Sequence, residues 1–115
     1  VRDTTLTITI GRNIKGEPMA NKTWQNFANE VESLIKFHDS TIHVGRATAV
    51  GLWLGIAEDN FTWVVGVEPT DVASYFRDIE LIRKGYSQDA IAVTVGQTAL
   101  VGQDTAEYLE SLQSI

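Results

Sequence analysis

From Thr5 to Ile10 the chain reads TLTITI, threonine alternating strictly with Leu6, Ile8 and Ile10. Successive strand side chains point to opposite faces, so this segment sets an aliphatic face against a hydroxyl-bearing one. A sheet built on such a strand must cover one side, and the next periodic segment supplies the cover. From Asn21 to Phe37, Trp24, Phe27, Ala28, Val31, Leu34 and Ile35 recur at helical spacing, opposite Gln25, Asn26, Asn29, Glu32, Ser33 and Lys36. Asn21 is the expected N-cap, and His38 falls at the helix C-terminus, where the dipole favours a cation. Between strand and helix, Gly11 to Pro18 carries turn residues and reads as a loop.

Residues Thr41 to Val67 read as a β-hairpin. Val50, Leu52, Leu54 and Ile56 share one face, and the polar run Ala57-Glu58-Asp59-Asn60 is the expected turn. Phe61, Trp63, Val65 and Val67 then alternate with smaller residues, and Gly45 or Gly51 marks a bulge or bend in the first arm. A second helix follows, capped by Thr70, with Val72, Phe76, Ile79, Ile82 and Tyr86 as its buried stripe and Gly85 at its end. Ile91, Val93 and Val95 mark a fourth strand. Asp104 to Leu112 is a short amphipathic helix, with Asp104 and Glu107 as a capping-box variant. The order β-α-β-β-α-β predicts an α+β, ferredoxin-like sandwich with an extra C-terminal helix: a four-stranded antiparallel sheet with two helices on one face. With 115 residues, one domain is expected, its core within residues 1–101 and a helical extension over 102–115.

The predicted core face holds Leu6, Ile8, Ile10, Leu52, Leu54, Phe61, Trp63, Val65, Ile91, Val93 and Val95. The opposite face holds Thr5, Thr7, Thr9, Gly51, Trp53, Gly55, Thr62, Val64, Gly66, Ala92, Thr94 and Gly96. A solvated face normally carries Lys, Glu and Gln, and this one carries none. Small uncharged residues around one large aromatic suit close approach by another surface, either a second copy or the C-terminal helix.

Several function classes are excluded by composition. The chain has no cysteine, which removes disulfide scaffolds, thiolate metal sites and a Cys nucleophile. Nine Lys+Arg against fifteen Asp+Glu argue against non-specific nucleic-acid binding. No apolar run approaches the ~20 residues of a membrane span and no export signal is evident, so a cytoplasmic protein, bacterial or from a phage-infected host, is expected. His38 and His43 are five apart across a helix end and a strand, a poor metal pattern, and neither metal nor cofactor is expected. No nucleophile elbow, P-loop or HExxH motif occurs. The candidate ligand- or partner-binding residues are Arg12 and Lys15 in the glycine-bounded loop, His43, Arg46, Trp53 and Tyr86. Trp53 leads them, because an open-face tryptophan suits a binding hot spot, whereas Trp24 and Trp63 fall on core faces.

Gly11-Arg12, Gly16, Trp24, Phe27, Val31, Gly51-x-Trp53, Glu58, Tyr86 and Gln88-Asp89 together resemble a family of small bacterial domains of unknown function. The resemblance spans roughly residues 5–101. It implies a ferredoxin-like fold and carries over no catalytic residue. Compact acidic chains of this kind are also typical of phage accessory proteins. The leading functional expectation is a non-enzymatic, homo-oligomeric protein that binds a partner or sequesters a small ligand. The alternative is a small cofactor-free enzyme, of oxygenase or isomerase type, with a pocket between sheet and helices and His43, Arg46, Glu58 and Tyr86 as candidates. A third reading gives Arg12, Lys15 and Arg46 to an anionic ligand at subunit interfaces.

Overall fold

The computed structural model describes residues 3–113. Its elements are β1 (Asp3–Gly11), the two-residue strands β2 (Asn13–Ile14) and β3 (Glu17–Pro18), α1 (Asn21–Phe37), β4 (Thr41–Trp53), β5 (Ile56–Val67), α2 (Val72–Gly85), β6 (Ala92–Thr98) and α3 (Thr105–Gln113). The fold is α+β. The main sheet is antiparallel with strand order β4-β5-β1-β6, and β2 pairs with β3 as a separate small hairpin. The segment expected as a plain loop therefore has its own turn, with Lys15 and Gly16 both at positive φ.

Alternation in β1 sorts the two faces as its sequence dictates. Leu6, Ile8 and Ile10 are fully buried, together with Trp63 and Val65 from β5. Trp24, Phe27, Val31 and Ile35 of α1 close over them, and α2 adds Tyr75 and Ile79 to the same cluster. Trp24 stacks on Phe61 with ring centroids 4.5 Å apart, and Phe27 stacks on Tyr86 at 4.5 Å. Burial of these side chains, at ~25 cal/mol per Å² of apolar area, is the main drive to fold. No helix among the described residues is long and apolar enough to cross a membrane.

The expected hairpin turn at Ala57–Asn60 is corrected. Trp53 pairs with Ile56, so the turn is Leu54-Gly55, with φ of 51° and 80°. Two consecutive positive φ values make the tight turn whose twist matches paired strands, and glycine at the second position permits it. The polar run instead lies within β5. This lengthens the hairpin beyond the reach of the helices, and the expected core residues Leu52 and Leu54 are 76% and 82% exposed. The radius of gyration, 15.9 Å, exceeds the ~13 Å of a compact chain of this length. Val95 is also half exposed, because β6 is an edge strand.

The helix ends differ in detail. Ala20 is the N-cap of α1 and Asn21 is already helical, while Pro69–Asp71 forms a 3₁₀ turn ahead of α2, so neither Asn21 nor Thr70 caps through its side chain. Tyr75, rather than Phe76, faces the core. Its hydroxyl shares a hydrogen bond with Ser40, and its ring stacks on His38, which pairs with Asp78 at 3.3 Å. The expected C-terminal helix is present as α3, but it stands exposed and does not cover the open sheet face.

Candidate functional site

Moving the turn from residues 57–60 to 54–55 changes what Glu58 and Asn60 are. Both lie in β5 with side chains on the open face, where Gly51 pairs with Glu58 and Gly11 pairs with Asn60. The neighbouring glycines make room for them. A Cβ on Gly11 would meet the Glu58 carboxyl group at 2.3–2.6 Å, and one on Gly51 would meet Asn60 Nδ2 at 2.3 Å. Glu58 and Asn60 therefore lie down over glycine backbone on either side of β5. The Asn13 backbone N–H donates to Glu58 Oε2 at 3.0 Å and fixes the carboxylate.

These two residues line a cleft of about 530 Å³ at one end of the open face. Leu52, Trp53, Leu54 and Ile56 form the hairpin wall, Lys15 and Gly16 the small-hairpin wall, and residues 87–90 the third. β4 and β6 are opposite edges of a four-stranded sheet, about 14 Å apart at normal strand spacing. Trp53 Nε1 donates to Asp89 Oδ2, in the loop that precedes β6, at 3.2 Å. This contact joins the hairpin wall to the third wall and spans the cleft. Gln88, itself buried, secures the third wall by donating from Nε2 to the Asn13 carbonyl at 3.1 Å and accepting at its own carbonyl from Arg83 at 2.9 Å. An apolar, aromatic-walled cleft with a few placed polar groups is the usual form of a small-molecule site.

Of the residues singled out from sequence, Lys15, Trp53 and Glu58 converge on this cleft. Arg12 stands next to it but is occupied, donating to the Met19 carbonyl at 2.9 Å and pairing with Asp59 at 3.4 Å. His43 lies against Gly66 on the open face, six residues along β5 from Asn60 and so about 20 Å away. Tyr86 stacks on Phe27 beneath α1; burial, with Glu30 adding to it, pushes its hydroxyl up to about 12. Arg46 serves the helix-covered side. Its backbone is left-handed, at φ 41°, within a stretch where β4 twice slips register. Its guanidinium donates to Glu32, Gln25 and Asn29 of α1 at 2.8, 3.1 and 2.6 Å and lies over Phe61. Arg46→Ala is expected to destabilise the fold by about 1–3 kcal/mol through loss of these charge-assisted bonds, measured by urea unfolding. Among the described residues no three His, Asp or Glu side chains gather as a metal site.

Asn60, Gln88 and Asp89 are not among the candidates the sequence offers: Gln88-Asp89 enters there only through the family resemblance, and Asn60 only as part of the expected turn. The Gly51 and Gly11 partners were the readable signal, since a small residue opposite a polar one on a sheet face leaves space for it.

No family model and no curated protein matches the chain. Solved structures do. A phage SAM lyase in its apo state superposes with a TM-score of 0.62 at 12% identity, covering 84% of this chain and 81% of that one. A phage SAM lyase in complex with S-methyl-5'-thioadenosine gives 0.53 at 12% identity, covering 85% and 90%. An unknown protein from Galdieria sulphuraria gives 0.52 at 8% identity, covering 85% of this chain and half of its own. At such identities the likeness is one of fold. It overturns the expectation of a non-enzymatic binder. That expectation rested on finding no catalytic constellation, and the same fold is that of a phage SAM lyase, an enzyme.

Proposed function

We propose that the chain is an enzyme of the SAM-lyase type, with a ferredoxin-like sheet whose long hairpin walls the substrate cleft. The observation that carries this reading is the Glu58 carboxylate, laid over Gly11 and facing an aromatic-walled cleft of about 530 Å³ on a fold shared with phage SAM lyases. S-adenosylmethionine is a nucleoside with a sulfonium centre, and S-methyl-5'-thioadenosine is the part that keeps its methyl and adenosyl groups. Forming one from the other breaks the third carbon–sulfur bond, and the bonding electron pair neutralises the sulfur. In a lyase, the electron deficiency of the departing carbon fragment is met from within that fragment rather than by water.

The residues fit such a ligand in kind. Glu58 holds the cationic centre, the Trp53 ring offers a stacking face to the base, and Asn60 and Asp89 supply hydrogen-bonding groups. Lys15, at the tip of the small hairpin, suits the substrate carboxylate. Incubating the purified protein with S-adenosylmethionine and separating the products by liquid chromatography tests the reading. S-methyl-5'-thioadenosine should accumulate, and the same compound should raise the melting temperature. Neither turnover nor a thermal shift would sink the proposal.

The chain is further proposed to work as a homo-oligomer. Val50, Leu52, Leu54 and Ile56 all expose apolar side chains around the hairpin tip, Val50 and Leu52 on one face and Ile56 on the face of its pair partner Trp53, and Leu52, Leu54 and Ile56 also line the cleft. A second copy seated there would finish the wall and exclude water. Leu52→Lys/Leu54→Lys should lower the mass found by light scattering and weaken turnover together. An unchanged mass would count against assembly at this surface.

A further inference from the structure

We infer that Gln88 is the positioning residue for the Glu58 carboxylate, acting through the backbone of Asn13. Its consequence for ligands rests on the reading of the cleft as a sulfonium-nucleoside site. The Asn13 N–H donates to Glu58 Oε2 at 3.0 Å, so the carboxylate stands where Asn13 holds it. Asn13 belongs to the small hairpin, whose strands are two residues each, and so short a ladder is marginal alone. Opposite Asn13 stands Pro18. Proline has no N–H, so the Asn13 carbonyl gets no donor from across the hairpin. Gln88 supplies one, its Nε2 donating at 3.1 Å from 75 residues away in sequence. Glu58 thus takes the Asn13 donor and Gln88 the Asn13 acceptor, and side chains satisfy both main-chain groups of this residue.

Gln88 can serve as an anchor because it is itself fixed. It follows the C-terminal end of α2 and is buried. Its backbone N–H donates to the Arg83 carbonyl at 3.1 Å, and its carbonyl accepts from the Arg83 guanidinium at 2.9 Å. Arg83 is held in turn by Glu80. Both main-chain groups of Gln88 are therefore tied to α2, and its side chain reaches from a packed helix to the hairpin. Within the hairpin the Met19 N–H donates to the Arg12 carbonyl at 3.0 Å, which belongs to the same peptide group as the Asn13 N–H. That bond keeps the hairpin together and does not seat it. Gln88 ties it to α2, and without the amide the hairpin carries the Asn13 N–H away from Glu58.

Gln88→Met tests this, since it keeps the length and bulk of the side chain and removes the amide. Gln88→Leu repeats the test if methionine packs badly. In the free protein, amide hydrogen exchange at Asn13 should quicken at least about fivefold while the Leu6 and Ile8 amides of β1 keep their rates. Unchanged exchange at Asn13 overturns the inference. Calorimetry should show the preference for S-adenosylmethionine over S-methyl-5'-thioadenosine falling about three- to tenfold. With Glu58→Gln already in place, Gln88→Met should change that preference by less than about twofold, because the carboxylate it positions is gone. An equal loss in both backgrounds would make Gln88 a general support of the cleft and overturn its role toward Glu58. Wild-type protein that binds neither nucleoside would end the lyase reading alone, and the exchange rate at Asn13 would still decide whether Gln88 holds the donor on Glu58.

Discussion

Glu58→Gln should weaken binding of the sulfonium nucleoside by about 10- to 100-fold while leaving the neutral thioether within about threefold. The substitution keeps the shape of the side chain and an oxygen for the Asn13 N–H, which now donates to Oε2 at 3.0 Å. Only the charge is removed. In the proposed reaction the sulfur loses its positive charge as the carbon–sulfur bond breaks. A carboxylate facing it therefore favours the substrate over both the transition state and the product. Glu58 on this account gathers substrate and lets product go. The KM should rise and kcat should rise with it, because the interaction lost is stronger in the bound substrate than in the transition state. Initial rates give the sulfonium side and calorimetry with S-methyl-5'-thioadenosine gives the thioether side. An equal loss for both ligands would make Glu58 a structural prop of the cleft and nothing more.

The fold was legible wherever the period of the sequence was unambiguous. The strict TLTITI alternation and the Trp24–Ile35 stripe set the covered face, and the boundaries of α1 came out at Asn21 and Phe37 as the spacing predicts. The hairpin failed for a definite reason. Ala57-Glu58-Asp59-Asn60 looks like a turn because it is polar, whereas Leu54-Gly55 contains a leucine, and backbone geometry decided in favour of the glycine. That error of a few residues hid the site. A carboxylate in a turn is a solubility feature, and the same carboxylate inside a strand, across from glycine, is a group held over a sheet. Trp53 is readable as an outlier on its face, but its partner Asp89 is not, since the contact depends on where the loop before β6 runs. Arg46 misled in the opposite direction. A cation next to His43 suggests a ligand, and the register slips in β4 turn it onto α1 instead.

Gly11→Ala should abolish the sulfonium preference with little loss of fold. Gly11 needs no unusual backbone angle, so alanine is not strained there, and what its Cβ meets is the far end of a flexible side chain. Glu58 must swing away, and the Asn13 N–H loses its acceptor. The stability cost should stay near 1 kcal/mol, in the low range for adding one methyl group against a group that can move. The functional cost should match or exceed that of Glu58→Gln, because the displaced carboxylate is lost to the ligand altogether. A double-mutant cycle separates this from a general distortion of the sheet. With Glu58→Ala already in place the obstruction is gone, and adding Gly11→Ala should change sulfonium affinity by less than about 0.5 kcal/mol, whereas the single changes alone each cost far more. Additive losses would mean that Gly11 matters for the backbone of β1 and that the carboxylate does not depend on the space above it. The same cycle at Gly51 and Asn60, whose amide fills the space that a Gly51 Cβ would take, then tells whether both glycines serve the cleft or only the one beneath the charge.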